Sequence, residues 1–143
     1  SEPLKVLADQ IRALGRHDAA LRMLADYAAG NPRSAAASAM LGRMLAETGD
    51  RERARPLLAH ARDLRPGDAA LLTELAELEL AGGDVAAAAK TAHEAYRLHR
   101  ANGAVAATLA RIMAASGGAG PASQALAAKA DRMRAAPAEP APR

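Results

Sequence analysis

The side chains of this chain that could carry catalysis or hold a metal are its four histidines, its five serines and one close pair of carboxylates. No two of His17, His60, His93 and His99 stand three or four residues apart, the spacing that sets two imidazoles on one helix face as metal ligands. They read as surface residues. Ser1, Ser34, Ser38, Ser116 and Ser123 lie outside any nucleophile-elbow pattern. Glu74 and Glu77 share a helical face and offer the types needed for an acid and a base, but no aromatic stands near them to desolvate either. They read as a solvated face. Gly117 to Gly120 is glycine-rich, yet it lacks the Lys-Ser/Thr of a phosphate loop and reads as a turn. The absence of cysteine excludes disulfides, zinc–thiolate sites and thiol catalysis. The expectation is a non-enzymatic chain with no catalytic residue, no metal and no cofactor.

What organises the chain is a period. Gly15, Gly49, Gly83 and Gly117 are spaced by 34 residues. Leu7, Leu41, Leu75 and Leu109 fall in a second column of that period, Ala8, Gly42, Ala76 and Ala110 in a third, and Ala20, Ala54, Ala88 and Ala122 in a fourth. Pro32 and Pro66 fill another, continued by Arg100. Such a repeat predicts a helical solenoid, in which each unit buries its apolar face only against its neighbours. Half of the 143 residues are hydrophobic, enough for one continuous core. With no Phe, no Trp and two Tyr, that core must be built from Ala, Leu, Met, Val and Ile, so neighbouring helices should approach closely.

Each unit reads as two helices. Leu4, Leu7, Ala8 and Ile11 make one face of the first unit and Ala20, Leu24 and Tyr27 the other, with Gly15 at the turn. Leu41, Gly42 and Leu45, then Ala54, Leu58 and Ala61, do the same in the second, with Asp50 placed as an N-cap. Pro56 sits past the first turn of its helix and should remove one backbone hydrogen bond. In the third unit Glu79 stands where Ile11 and Leu45 stand before it, with Leu78 and Leu80 expected to compensate. In the fourth the turn loosens, and Lys129 takes the column of Ala61 and Ala95, as a solvent-facing last helix should. The expected organisation is a solenoid over 1–134, with units 1–34, 35–68, 69–102 and 103–134 and the last helix as a cap. An Ala/Pro/Glu-rich tail over 135–143 is expected to be disordered.

These columns resemble the tetratricopeptide repeat, most fully in the second unit with Leu41, Gly42, Ala54, Ala61 and Pro66. The aromatics usual in that family are replaced by Leu, Ile, Met, Ser or Ala. The resemblance implies an all-α, right-handed helical-repeat solenoid whose first helices line a concave groove for a peptide or helix of a partner protein. Carried over residue by residue, it assigns to that groove Lys5, Asp9 and Arg12; Ala39, Arg43 and Glu47; Thr73, Glu77 and Leu80; and Ala107, Arg111 and Ala114. The family's carboxylate clamp for a chaperone C-terminus is not reproduced, since only Lys5 matches it and Asp9, Met40, Ala70 and Glu74 do not. Asp9, Arg43, Glu77 and Arg111 alternate in sign along one column. They form either a ladder for a zwitterionic peptide or ion pairs between neighbouring helices.

The function expected is that of a protein-interaction scaffold or adaptor. The alternatives are a self-assembling module, a possible homo-oligomer, or a regulatory segment of a larger bacterial enzyme or envelope or secretion protein. Arg51, Arg53, Arg55, Arg62 and Arg65 crowd one helix, but they are expected on the convex face and no aromatic platform accompanies them, so nucleic acid is not the expected partner. No apolar run reaches the length of a membrane span. No signal peptide is visible, although a chain beginning Ser-Glu-Pro is consistent with removal of one. The composition looks bacterial and leaves cytoplasm and periplasm equally open.

Overall fold

The computed structural model describes residues 2–13, 17–118 and 120–135, and it places them in eight helices. These are α1 (Glu2–Ala13), α2 (His17–Gly30), α3 (Ala35–Glu47), α4 (Arg51–Leu64), α5 (Ala69–Ala81), α6 (Val85–Leu98), α7 (Gly103–Gly117) and α8 (Pro121–Ala135). There is no strand among the described residues. The helices pack as successive hairpins, α3 on α4, α5 on α6 and α7 on α8, and the second helix of each hairpin packs on the first helix of the next. The result is the all-helical solenoid that the period predicts. Gly15 and residues 136–143 of the expected tail lie outside the described residues, and Ala135 belongs to α8.

The turns explain why the helices begin and end where they do. Gly49 and Gly83 take φ of 89° and 87°, a region that costs a side chain dearly. At the first of these turns Gly49 N–H donates to Ala46 O at 3.0 Å and Asp50 N–H to Leu45 O at 2.9 Å. Gly83 and Asp84 repeat both bonds, onto Leu80 O and Glu79 O. This double closure satisfies carbonyls that a helix end otherwise leaves open. The same aspartates start the next helix, because the Asp50 carboxylate accepts from Arg53 N–H at 3.2 Å and that of Asp84 from Ala87 N–H at 3.1 Å. The Ala87 N–H, with help from Arg55, holds the Asp84 carboxyl below its ordinary range. Between hairpins Ser34, Asp68 and Asn102 cap α3, α5 and α7. These three are also 34 residues apart, a column that sequence reading passed over.

The core follows the small-residue columns through the first three hairpins. Ala8, Gly42 and Ala76 are buried, as are Ala20, Ala54 and Ala88 facing them. The last hairpin departs. Gly117 is still helical, and it is Gly118 that takes a positive φ, of 83°. α8 therefore begins later than the period would place it, at Pro121, and its buried positions slip by one. Ala122 and Lys129 leave the columns expected of them, and Ser123 and Ala130, at 5% and 0% exposure, take the buried places. Lys129 instead lies over the Tyr96 ring, 5.0 Å from its centroid, and its Nζ donates to the Tyr96 hydroxyl at 2.7 Å.

Glu79 departs from expectation in a different way. Leu78 and Leu80 do pack inward, but Glu79 itself is buried. It accepts from the Thr91 hydroxyl at 2.7 Å and from Arg55 Nη2 at 3.1 Å, and the same nitrogen donates to Asp84 at 3.0 Å. One arginine of α4 thus ties α5 to the start of α6, and Thr91 of α6 completes the carboxylate's shell. Pro56, next to that arginine, lies inside α4 without ending it.

Two outcomes follow for stability. Gly49→Val should cost more than about 1 kcal/mol although nothing lies within 4 Å of the added Cβ, whereas Gly117→Ala should cost nothing. Urea unfolding of both variants reads the difference, and equal midpoints would refute the turn assignment. Arg55→Ala should cost about 1–3 kcal/mol by stripping a buried carboxylate of its cation. In contrast, Glu79→Leu/Thr91→Val should unfold no earlier than the parent in thermal melts, because it restores the apolar residue type that Leu45 supplies one repeat earlier.

Candidate functional site

The first helices of the hairpins share one face, and it holds two troughs. The N-terminal one, of about 520 Å³, is lined by Lys5, Asp9, Ala39, Arg43 and Glu47, joined by Met40, Arg65 and Asp68. The C-terminal one, of about 650 Å³, is lined by Glu77, Ala107, Arg111 and Ala114, joined by Ala104, Thr108, Ala110 and an inner strip of α8. Nine of the groove residues assigned from sequence are therefore brought together, in two groups. Thr73 and Leu80 line neither trough. The Thr73 hydroxyl donates to its own helix, at Ala69 O and Ala70 O, and Leu80 packs half-buried against the core of Ala76, Ala88, Ala92, Leu109 and Ile112. The Arg12 side chain lies outside the described residues.

The α8 strip, with Ser123, Gln124, Ala127, Asp131 and Arg134, was not anticipated. The resemblance draws a groove only from first helices. The last hairpin has no following hairpin among the described residues, so the inner side of α8 becomes a wall. Ala104, Ala107, Ala110, Ala114 and Ala127 supply much of this trough's lining, with Thr108 among them.

Its charges are largely committed. Glu77 accepts from Arg111 Nη2 and, at 3.3 Å, from the buried Thr108 hydroxyl. Asp131 takes Arg134 at 3.0 Å. At the boundary with the other trough, Arg43 Nε donates to both Glu74 oxygens, at 2.9 and 2.8 Å. Within the alternating column Glu77 and Arg111 meet as an ion pair, while Arg43 turns to Glu74 instead and Asp9 stays exposed. Glu74 and Glu77 are thus more than a solvated face. One is drawn back to α3 and the other forward to α7, so the two do not act as a carboxylate pair.

Other candidates are spent on structure. His60 Nε2 donates to Pro32 O at 2.6 Å and His99 Nε2 to Gly67 O, each reaching back to the turn before its own hairpin. Arg55 is bound to Glu79 and Asp84, Arg53 to Asp50, and Arg62 to Asp63. Among the described residues no three His, Asp or Glu side chains converge as metal ligands, and no helix is long and apolar enough to cross a membrane.

Comparison with known proteins agrees with this architecture. Residues 12–78 match the family model described as Tetratricopeptide repeat. Among solved structures, a double mutant of MamA RS-1 superposes with a TM-score of 0.80 at 16% identity, over 93% of this chain and 74% of that one. MamA from Desulfovibrio magneticus RS-1 gives 0.76 at 17% identity, over 92% and 74%. A mutant O-GlcNAc transferase of Thermobaculum terrenum gives 0.77 at 25% identity, over 92% of this chain but 25% of that one. No curated protein matches by sequence.

The Arg43–Glu74 contact joins two partly exposed groups, with side chains 43% and 32% accessible. Its coupling energy, from a double-mutant cycle of Arg43→Ala and Glu74→Ala, should stay at or below about 1 kcal/mol and shrink as salt is added. A larger, salt-insensitive coupling would contradict this reading of an exposed bridge.

Proposed function

We propose that this chain, whose residues 12–78 match the tetratricopeptide-repeat family and whose fold is that of a helical-repeat solenoid, is a non-catalytic scaffold or adaptor that receives a peptide or helix of a partner protein on the concave side formed by its first helices. The observation that carries this reading is the C-terminal trough, about 650 Å³ lined largely by alanines and rimmed by charges that already have partners. A surface of that kind recognises shape and apolar side chains, with helix-in-groove docking as the physical template. The N-terminal trough, with Lys5, Asp9 and Arg65 exposed along it, adds polar contacts at the other end of the same guest. Lys5, Asp9, Arg12, Ala39, Arg43, Glu47, Thr73, Glu77, Leu80, Ala107, Arg111 and Ala114 remain the groove set of this proposal, with Thr73 and Leu80 half-buried beside the troughs.

A second reading has one observation in its favour. The likeness to the Thermobaculum terrenum O-GlcNAc transferase spans a quarter of that chain, so a solenoid of this size also occurs as one part of an enzyme. On that reading the same troughs would serve a recognition role beside a catalytic unit.

The test fills the trough without touching the core. Ala104 and Ala127 are exposed and line it, so Ala104→Trp/Ala127→Trp should fold as the parent does. Peptides selected by display against the parent and titrated by fluorescence anisotropy should bind the variant at least about tenfold more weakly, a loss of roughly 1.4 kcal/mol. Equal affinities would move the binding surface elsewhere.

A further inference from the structure

The turns between hairpins stand along one edge of the array, and hydrogen bonds tie each to the next. His60 of α4 reaches the α2–α3 turn at Pro32 O, and His99, just past α6, reaches the α4–α5 turn at Gly67 O. The row continues to α8, whose last turn stands against the start of α7: a Cβ on Gly103 would lie 3.5 Å from Arg134 Cγ. Arginine marks this edge at every turn. Arg33, Arg65 and Arg100 lie in the three turns and Arg97 in the last turn of α6, and all four are exposed. No side chain of the four has a hydrogen-bond or carboxylate partner among the described residues, whereas Arg43, Arg53, Arg55, Arg62 and Arg111 are each bound to an acid. The carboxylates of the edge are already spent. Asp63 holds Arg62, Asp68 caps α5 and Asp131 holds Arg134.

The same edge leaves an apolar side chain in the open. Outside the first hairpin, Leu98 is the one large hydrophobic that the described residues expose, at 47%. Its counterpart one repeat earlier, Leu64, packs half-buried against the core. Leu98 leans instead on the α4–α5 turn, where a Cβ on Gly67 would meet its Cδ1 at 3.7 Å. It thus stands between Arg97, its neighbour in sequence, and the turn that carries Arg65, with Arg100 two residues on. Each guanidinium is a planar fork that matches a carboxylate with two parallel hydrogen bonds. A leucine among such forks suits a protein segment, which can set an apolar side chain between its acids; a nucleic-acid backbone has none to offer. We propose that this edge docks an acidic segment of a partner protein, its carboxylates on Arg65, Arg97 and Arg100 and an apolar side chain against Leu98. Packed helices stand about 8–10 Å apart, a distance that an extended chain covers in about three residues, so the acids of that segment recur at that interval. Arg65 also lines the N-terminal trough, but Arg97, Leu98 and Arg100 line neither trough, so the edge stands or fails apart from the groove reading.

The probe is a fluorescein-labelled peptide of Glu-Thr-Ser repeats with one central Leu, titrated against the full chain by fluorescence anisotropy at low salt. Binding should weaken as salt is added. Arg97→Ala/Arg100→Ala removes only exposed, unpartnered groups; it should keep the helical circular dichroism and raise the dissociation constant at least about tenfold. Arg22→Ala/Arg51→Ala takes the same charge from the exposed N-terminal halves of α2 and α4, away from the edge, and should leave the affinity unchanged. Leu98→Ser should weaken binding without altering its salt dependence, and Ala104→Trp/Ala127→Trp, which fills the C-terminal trough, should bind the peptide as the parent does. No binding at low salt, equal losses from the two arginine pairs, indifference to Leu98→Ser or a loss in the trough-filled variant would each overturn the proposal. So would tighter binding of an anionic phospholipid vesicle or a single-stranded oligonucleotide than of the peptide.

Discussion

The close approach of helix backbones is the constraint on which the rest of this molecule rests. A Cβ placed on Gly42 would sit 3.0 Å from Leu58 Cγ and 3.3 Å from the Ala54 carbonyl oxygen, so the second hairpin closes tightly enough that an added methyl would have to push α4 or Leu58 aside by a few tenths of an ångström. Alanine fills the equivalent places in the first, third and fourth hairpins. Without phenylalanine or tryptophan, each layer of core is thin, and burial per residue is smaller than a bulkier interior would supply. That thinness gives the polar ties between hairpins their importance. Arg55 with Glu79 and Asp84, and the two histidines bonded to turn carbonyls, fix the stacking of units that aliphatic contact alone would hold more loosely, while Thr91 on Glu79 braces the third hairpin from within.

Much of the architecture was legible because it repeats. A column of glycine or leucine at one interval is a statement about packing made several times over, and Gly49, Gly83, Leu41, Leu75 and Leu109 behave as that column requires. What escaped was whatever happens once. The extra residue in the last turn moves the burial from Ala122 and Lys129 to Ser123 and Ala130, and in a run of Ala and Gly no side chain marks the slip. Glu79 looked like a defect in an apolar face, and its partners, 12 and 24 residues away, are visible only once three helices are side by side. The wall that α8 adds to the trough escaped because the groove was drawn from first helices alone.

The lining of the two troughs was legible in part, and with the same limit. Residue columns placed Lys5, Asp9, Ala39, Arg43 and Glu47 along one trough and Glu77, Ala107, Arg111 and Ala114 along another. They did not reveal which charges are already taken. Glu74 and Glu77 are three residues apart and share a helix, yet they face different neighbours, a distinction set by where Arg43 and Arg111 can reach. Leu80, assigned to the groove by its column, is drawn into the core by Leu109 and Ile112.

Every tie between hairpins described above spans 34 residues or fewer, from Arg55–Glu79 at 24 to Glu77–Arg111 at 34. None of these ties reaches past the adjacent unit, so the array behaves as a chain of springs in series. Pulled from its two ends, such a chain yields at its weakest junction first and then hairpin by hairpin, extending in steps instead of failing at once. A partner lying across both troughs would span several junctions at once, which none of these ties does, and binding would be felt as stiffness along the axis.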